Sequence, residues 1–358
     1  GSTNNPIRTT ANDLTVDTSA EGGNQFILLP SGVNNLNLNS GGGDILVRAN
    51  DIDLTATGSM INAETGNITL QPDGNTTIGI GTDATGDFHL DTSELTTKLN
   101  SSGIVTIGGG NGAIEINSDT TELNLSGETF DLSVSGGNLT FTKPLILRDN
   151  GTLTLNTGSV TDMATNPAIT IGGNGTLVLN TSGAVGTNAQ PLTTAIIQLA
   201  ADSTNNIFIQ NNAALDLGTS TINGALDVMA DGAITNSGQL EISGITTLAA
   251  GTANNITLDN SENNLSTIAI TSGNNVTLQD KNAIDLGTSD IEGTLNVTAN
   301  GEITNSGPLE VSGITTLAAG VANNITLNNA DNDLSTIAIS SGNNVTLQDK
   351  NDIQHFPR

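Results

Sequence analysis

The chain has 358 residues, with 36 acidic side chains against 8 basic ones and a formal net charge of −28. It has no cysteine, no Trp, no Tyr and only six Phe, which excludes a disulfide scaffold, thiol chemistry and an aromatic-rich globular core. The charge balance argues against nucleic acid and anionic membranes, which need basic patches, and no apolar run approaches the roughly 18 residues of a spanning helix.

From the amino end, short alternating runs follow one another between Gly, Asn and Asp. They include LTVD (14–17), FILL (26–29), LNLN (36–39), ILVRA (45–49), NITLQ (67–71), IGIG (78–81), FHLD (88–91), IVTIG (104–108), AIEIN (113–117), FDLSV (130–134) and LTFT (139–142). A period of two predicts strands with one packed and one wet face. This alternation separates the chain from a disordered one of similar charge. One stretch departs from the pattern. Asp91–Leu99 sets Leu95 and Leu99 at helical spacing, with Thr92 or Ser93 as N-cap and Glu94 in the first turn, so a short helical insertion is expected over 91–99. Segments 159–168 and 183–192 are also irregular. Residues 1–143 read as less regular coils than 144–358, which places a soft boundary near Thr142–Pro144. The opening Gly1-Ser2 reads as a cloning remnant and no secretory leader follows it, so a piece of a longer protein is expected.

The last third repeats itself. Residues 214–282 return as 283–351, with 53 of 69 positions identical. From 221 to 233 the odd positions change and the even ones, such as Ile222, Leu226 and Val228, are kept. The kept residues are apolar or small and mark the packed face. Each copy divides by eye into three segments of two or three strands. Strands this short are not stable as isolated hairpins, so stacking into a solenoid is expected. The predicted fold is all-β: a right-handed parallel β-helix with about three short strands per coil. Asn-Asn pairs before strands, as at 254–255 and 274–275, suit left-handed turns and stacked amide ladders.

Residues 35–116 resemble the coils of filamentous-hemagglutinin-like large exoproteins. The resemblance rests on Ile68–Pro72 (ITLQP), Ile78–Gly81 (IGIG), Asp87–Leu99 and Val105–Ile114. The 69-residue copies resemble stalk repeats of the same class. The resemblance implies a β-helix, an extracellular or bacterial cell-surface location, adhesion or biofilm-matrix contact, and an outer-membrane export partner.

Other residues invite other chemistry. Asp44, Asp51 and Asp53, or Asp216 and Asp285, could line a calcium column, the one cofactor the composition suggests, against the plainer reading of a solvated acidic face. His89 alternates outward between Phe88 and Leu90, and His355 lies in the tail, so no catalytic residues are assigned and no enzyme is expected. Gly108–Gly112 lacks the lysine and helix of a phosphate loop and reads as a tight corner. Outward threonines such as Thr152/Thr154 and Thr246/Thr247 show no unbroken rank in sequence. The expected function is a stalk segment of a secreted or cell-surface adhesin. Its partner would be a host or neighbouring-cell surface, a carbohydrate or a matrix ligand. The alternatives are a self-associating extracellular coat protein and a carbohydrate-active β-helix enzyme. Segments 84–103, 159–168 and 183–192 are the expected binding places, because loops carry function on rigid scaffolds.

Overall fold

The computed structural model describes residues 6–30, 35–165, 167–351 and 354–355. The chain is a parallel β-solenoid, as the alternation predicts. It divides into two compact units, residues 1–183 with 192–195, and residues 184–191 with 196–358. Among the described residues the only α-helix has six residues, too few to cross a membrane.

In the first unit one ladder carries Gln25, Ile45, Ile68, Val105, Leu132, Leu153 and Leu177 in successive coils. The longest step runs from Ile68 to Val105, because that coil holds the insertion. A second, five-stranded parallel sheet contains β1 (Ile78–Ile80), β2 (Phe88–Leu90), β3 (Ile114–Ile116), β4 (Leu139–Phe141) and β5 (Val160–Asp162), in the order β5-β4-β3-β1-β2. After β2 the chain makes α1 (Thr92–Thr97). Its N-cap is Asp91, one residue before the expected Thr92 and two before the alternative Ser93. The physical reason is Glu94. With the cap at 91, Glu94 stands three places on, and its carboxylate reaches back to accept the Asp91 N–H at 2.7 Å. Leu95 is buried under the helix, while Leu99 opens the next strand, Leu99–Ser101.

The second unit holds both 69-residue copies, and its register corrects the division into three segments. One ladder carries Leu215, Ile234, Ile256, Val276, Leu295, Thr315 and Ile337 in successive coils. The other carries Ile207, Leu226, Thr246 and Ile268, then strand 284–286, then Ile303, Ile325 and Val345. Three strands make a coil: 215–217, 220–222 and 226–230 precede 234–236, which pairs with 215–217. Equivalent residues of the two copies lie on different ladders. Ile234 and Ile256 of the first ladder correspond to Ile303 and Ile325 of the second. Leu226 and Thr246 of the second correspond to Leu295 and Thr315 of the first. A copy therefore spans three and a half coils. The half coil is invisible in the sequence because either ladder offers the same environment, a buried apolar residue followed by a wet one.

Aliphatic side chains, joined by Phe88, Phe130 and Phe141, fill the interior. Among the polar groups that penetrate it, two asparagines close corners. Asn263 is fully buried, and its Oδ1 accepts the Leu240 N–H at 3.1 Å and the Asn236 amide at 2.9 Å. Asn332 does the same for Leu309 at 3.0 Å and Asn305 at 2.9 Å. The Asn-Asn pairs form the expected amide ladders, with Asn275 donating to Asn255 at 3.2 Å and Asn344 to Asn324 at 3.1 Å. They are not left-handed. Among the described residues only Glu64 and Asn150 have positive φ besides glycine, so stacking between coils is what these pairs supply. Gly108–Gly110 do take positive φ at a coil corner, and a Cβ on Gly112 would lie 1.6 Å from the Thr76 carbonyl oxygen.

Candidate functional site

The outer face of the five-stranded sheet carries a row of paired residues: His89, Gly79, Glu115, Thr140 and Thr161. Gly79 is the gap in this row. A Cβ there would come 2.8 Å from the His89 ring and 3.1 Å from the Ala84 carbonyl oxygen, so the glycine lets loop 81–87 cross the sheet. The loop forms one wall of a groove of about 750 Å³ lined by Thr85, Gly86, Asp87, Glu115, Thr140, Thr142 and Met163, among others.

Glu115 ties the groove together. Its carboxylate accepts the Thr85 N–H at 2.7 Å, the Thr85 hydroxyl, the Thr142 hydroxyl at 2.9 Å and the Asn117 amide at 3.3 Å. Partial burial opposes its ionisation, but these donors outweigh burial and hold the carboxyl below the usual glutamate range. Four donors fill its acceptor positions, so Glu115 acts as a staple between loop and sheet. Beside it, Asp87 exchanges contacts with Thr77: the Asp87 N–H reaches the threonine oxygen at 3.0 Å, and the hydroxyl reaches the carboxylate at 3.3 Å. The lining therefore offers threonine hydroxyls, the Asp87 carboxylate and the exposed Met163 thioether to a ligand.

Two of the three expected binding segments meet at this groove, 84–103 through Thr85–Asp87 and 159–168 through Met163. Asn166 of the second lies outside the described residues. In the third, residues 184–191 belong to the other unit, where Val185 bridges to Ile207 and Thr187 pairs with Gln190. His89 is half-buried and faces outward, with Nε2 3.0 Å from the Gly81 carbonyl oxygen. His355 lies in a short strand, 354–355; its side chain and Arg358 fall outside the described residues.

The acidic residues proposed as a calcium column do not stack. Asp44 accepts the Asn67 N–H at 2.9 Å, Asp51 the His89 N–H at 2.9 Å, and Asp53 the Thr55 N–H at 2.9 Å. Asp216 and Asp285 sit on different ladders of the second unit, a direct result of the half coil. No group of three or more His, Asp or Glu able to hold one ion occurs among the described residues.

The structure also shows what the sequence concealed about threonine. On the first ladder Asp216, Thr235, Thr257 and Thr277 are outward neighbours in consecutive coils, followed by Asn296 and Thr316. On the second ladder Asp285, Thr304, Thr326 and Thr346 repeat that rank. Each rank is headed by a network on its aspartate: Asp216 takes the Thr235 hydroxyl at 3.1 Å, the Gln198 amide at 3.0 Å and the Ser237 hydroxyl at 2.5 Å. Burial opposes ionisation of Asp216, and these donors hold its carboxyl below the usual range. The missing signal was the coil step, which only the pairing reveals.

A family described as repeats of unknown function (DUF5649) matches residues 204–272 and 273–341, the same period in a different phase. No curated protein and no solved structure matches the chain.

Proposed function

We propose that the chain is a stalk segment of a secreted or cell-surface bacterial adhesin, in which the second unit is a spacer and the groove of the first unit is the contact point. The observation that carries the reading is where the two copies differ. Of 16 differing positions, 14 are half-buried or exposed, and the two buried ones exchange Leu215 for Ile284 and Ile242 for Val311. Much of the outer surface drifts while the packed face is held, as a spacer requires. The groove supports the other half of the reading, because an inserted loop is fastened over the sheet by a dedicated carboxylate at the meeting of two irregular segments. Beads coated with the chain are expected to be retained on cell-covered, polysaccharide-covered or matrix-covered surfaces. Thr140→Lys and Met163→Glu are expected to lower retention several-fold with thermal unfolding unchanged. Retention no better than that of beads coated with an inert protein would sink the adhesive reading.

A further inference from the structure

We infer that the 69-residue copy is a half-turn element, so that the number of copies, odd or even, sets which side of the second unit displays whatever follows them. Within the first copy the strand around Leu226 lies on the second ladder, beside the strand around Ile207 that precedes the copies. Its equivalent in the second copy, around Leu295, lies on the first ladder, between Val276 and Thr315. The same exchange holds for each ladder strand compared: 234–236 with 303–305, 256–258 with 325–327, and 276–280 with 345–347. A copy of three or four whole coils would have kept equivalent strands on one ladder.

The exchange leaves the interior undisturbed. Leu226 and Leu295 are both 1–2% exposed, and Thr246 and Thr315 are both fully buried, although each pair is split between ladders. The corner pairs Asn236–Asn263 and Asn305–Asn332 have the same 2.9 Å contact. Both ladders thus accept the same strand, and removing one copy should splice equivalent surfaces without a misfit. What changes is the side. The rank Asp216–Thr235–Thr257–Thr277 is on the first ladder, and Asp285–Thr304–Thr326–Thr346 is on the second. A partner that read this rank would meet it on alternate sides from copy to copy. Two added copies would restore the original side; one would reverse it.

The chain has no cysteine, so paired labels can be placed cleanly. Phe208→Cys is combined with either Thr304→Cys or Thr316→Cys, all outward positions, and spin-label distances are measured. In the full chain Phe208 and Thr304 share a ladder five coils apart, on the order of 24 Å at one strand spacing per coil. Thr316 lies on the other ladder and should be farther. In the chain lacking 214–282, Thr304 takes the place of Thr235 on the first ladder, and Thr316 takes the place of Thr247 on the second, two spacings or about 10 Å from Phe208. The order of the two distances is therefore expected to reverse. An unchanged order in a folded deletion variant would overturn the inference. A deletion variant that fails to fold would also overturn it, because the two ladders would then not accept the same strand. Independently, a full chain in which Thr316 is nearer Phe208 than Thr304 refutes the half turn.

Discussion

Asn263 and Asn332 are buried amides that hold a corner shut, and the two contacts to each Oδ1 have twins in the other copy. Asn263→Ala would strand the Leu240 N–H and one Asn236 amide hydrogen inside the solenoid. Leaving a buried donor unpaired costs about 1–3 kcal/mol. Asn332→Ala strands the Leu309 N–H and the Asn305 amide in the same geometry, so the two variants should lose similar stability in urea unfolding. A cost at one site only would show that the corners are not equivalent. Alternation made Leu240 and Ile242 readable as core residues, because the pattern is local. The role of Asn263 was not readable. Its partners lie 23 and 27 residues away, one coil distant, and nothing near it in the chain marks it as more than a turn residue.

The inserted element α1 depends on a carboxylate that pays for its burial. Glu94 is 3% exposed and accepts the N–H groups of Leu54 and Asp91. Burial pushes its carboxyl up, the neighbouring Asp91 and Asp53 charges push the same way, and the two N–H donors oppose them without prevailing. Its folded value thus lies above its unfolded one. The contribution of Glu94 is full below the ordinary glutamate range and fades as pH rises through the raised value. Glu94→Gln keeps one acceptor and turns an amide hydrogen toward the other N–H, so the variant should be less stable by about 1–3 kcal/mol in mildly acidic buffer. The gap between parent and variant should narrow at pH 8, read from urea midpoints at both pH values. A gap that widens would mean the N–H donors win. The helix itself was legible from Leu95 and Glu94. Its cap was placed one or two residues late, although the partner that fixes it, Glu94, stands three places after Asp91 and the D-x-x-E spacing is local to the chain. The groove was legible only as two irregular segments; their meeting depends on β1, β3, β4 and β5 stacking in register.

At the scale of the molecule, each coil touches chiefly the coils before and after it, so stability is close to a sum over neighbours. The period of the copies was plain in the sequence, and their half-coil phase was not, because both ladders hold buried aliphatic residues. One irregular feature has a consequence under tension. Pulled from its ends, such a stack should peel coil by coil. A coil such as the one from Leu295 to Thr315 would release on the order of 65 Å of extended chain at about 3.3 Å per residue. The coil from Ile68 to Val105, lengthened by loop 81–87 and α1, would release nearly twice that, about 120 Å. In single-molecule stretching the insertion should therefore appear as one long step among short ones, and a record of uniform steps would contradict the pairing of Ile68 with Val105. The inserted loop and helix would then serve as a built-in ruler mark, dating each rupture to its place in the chain.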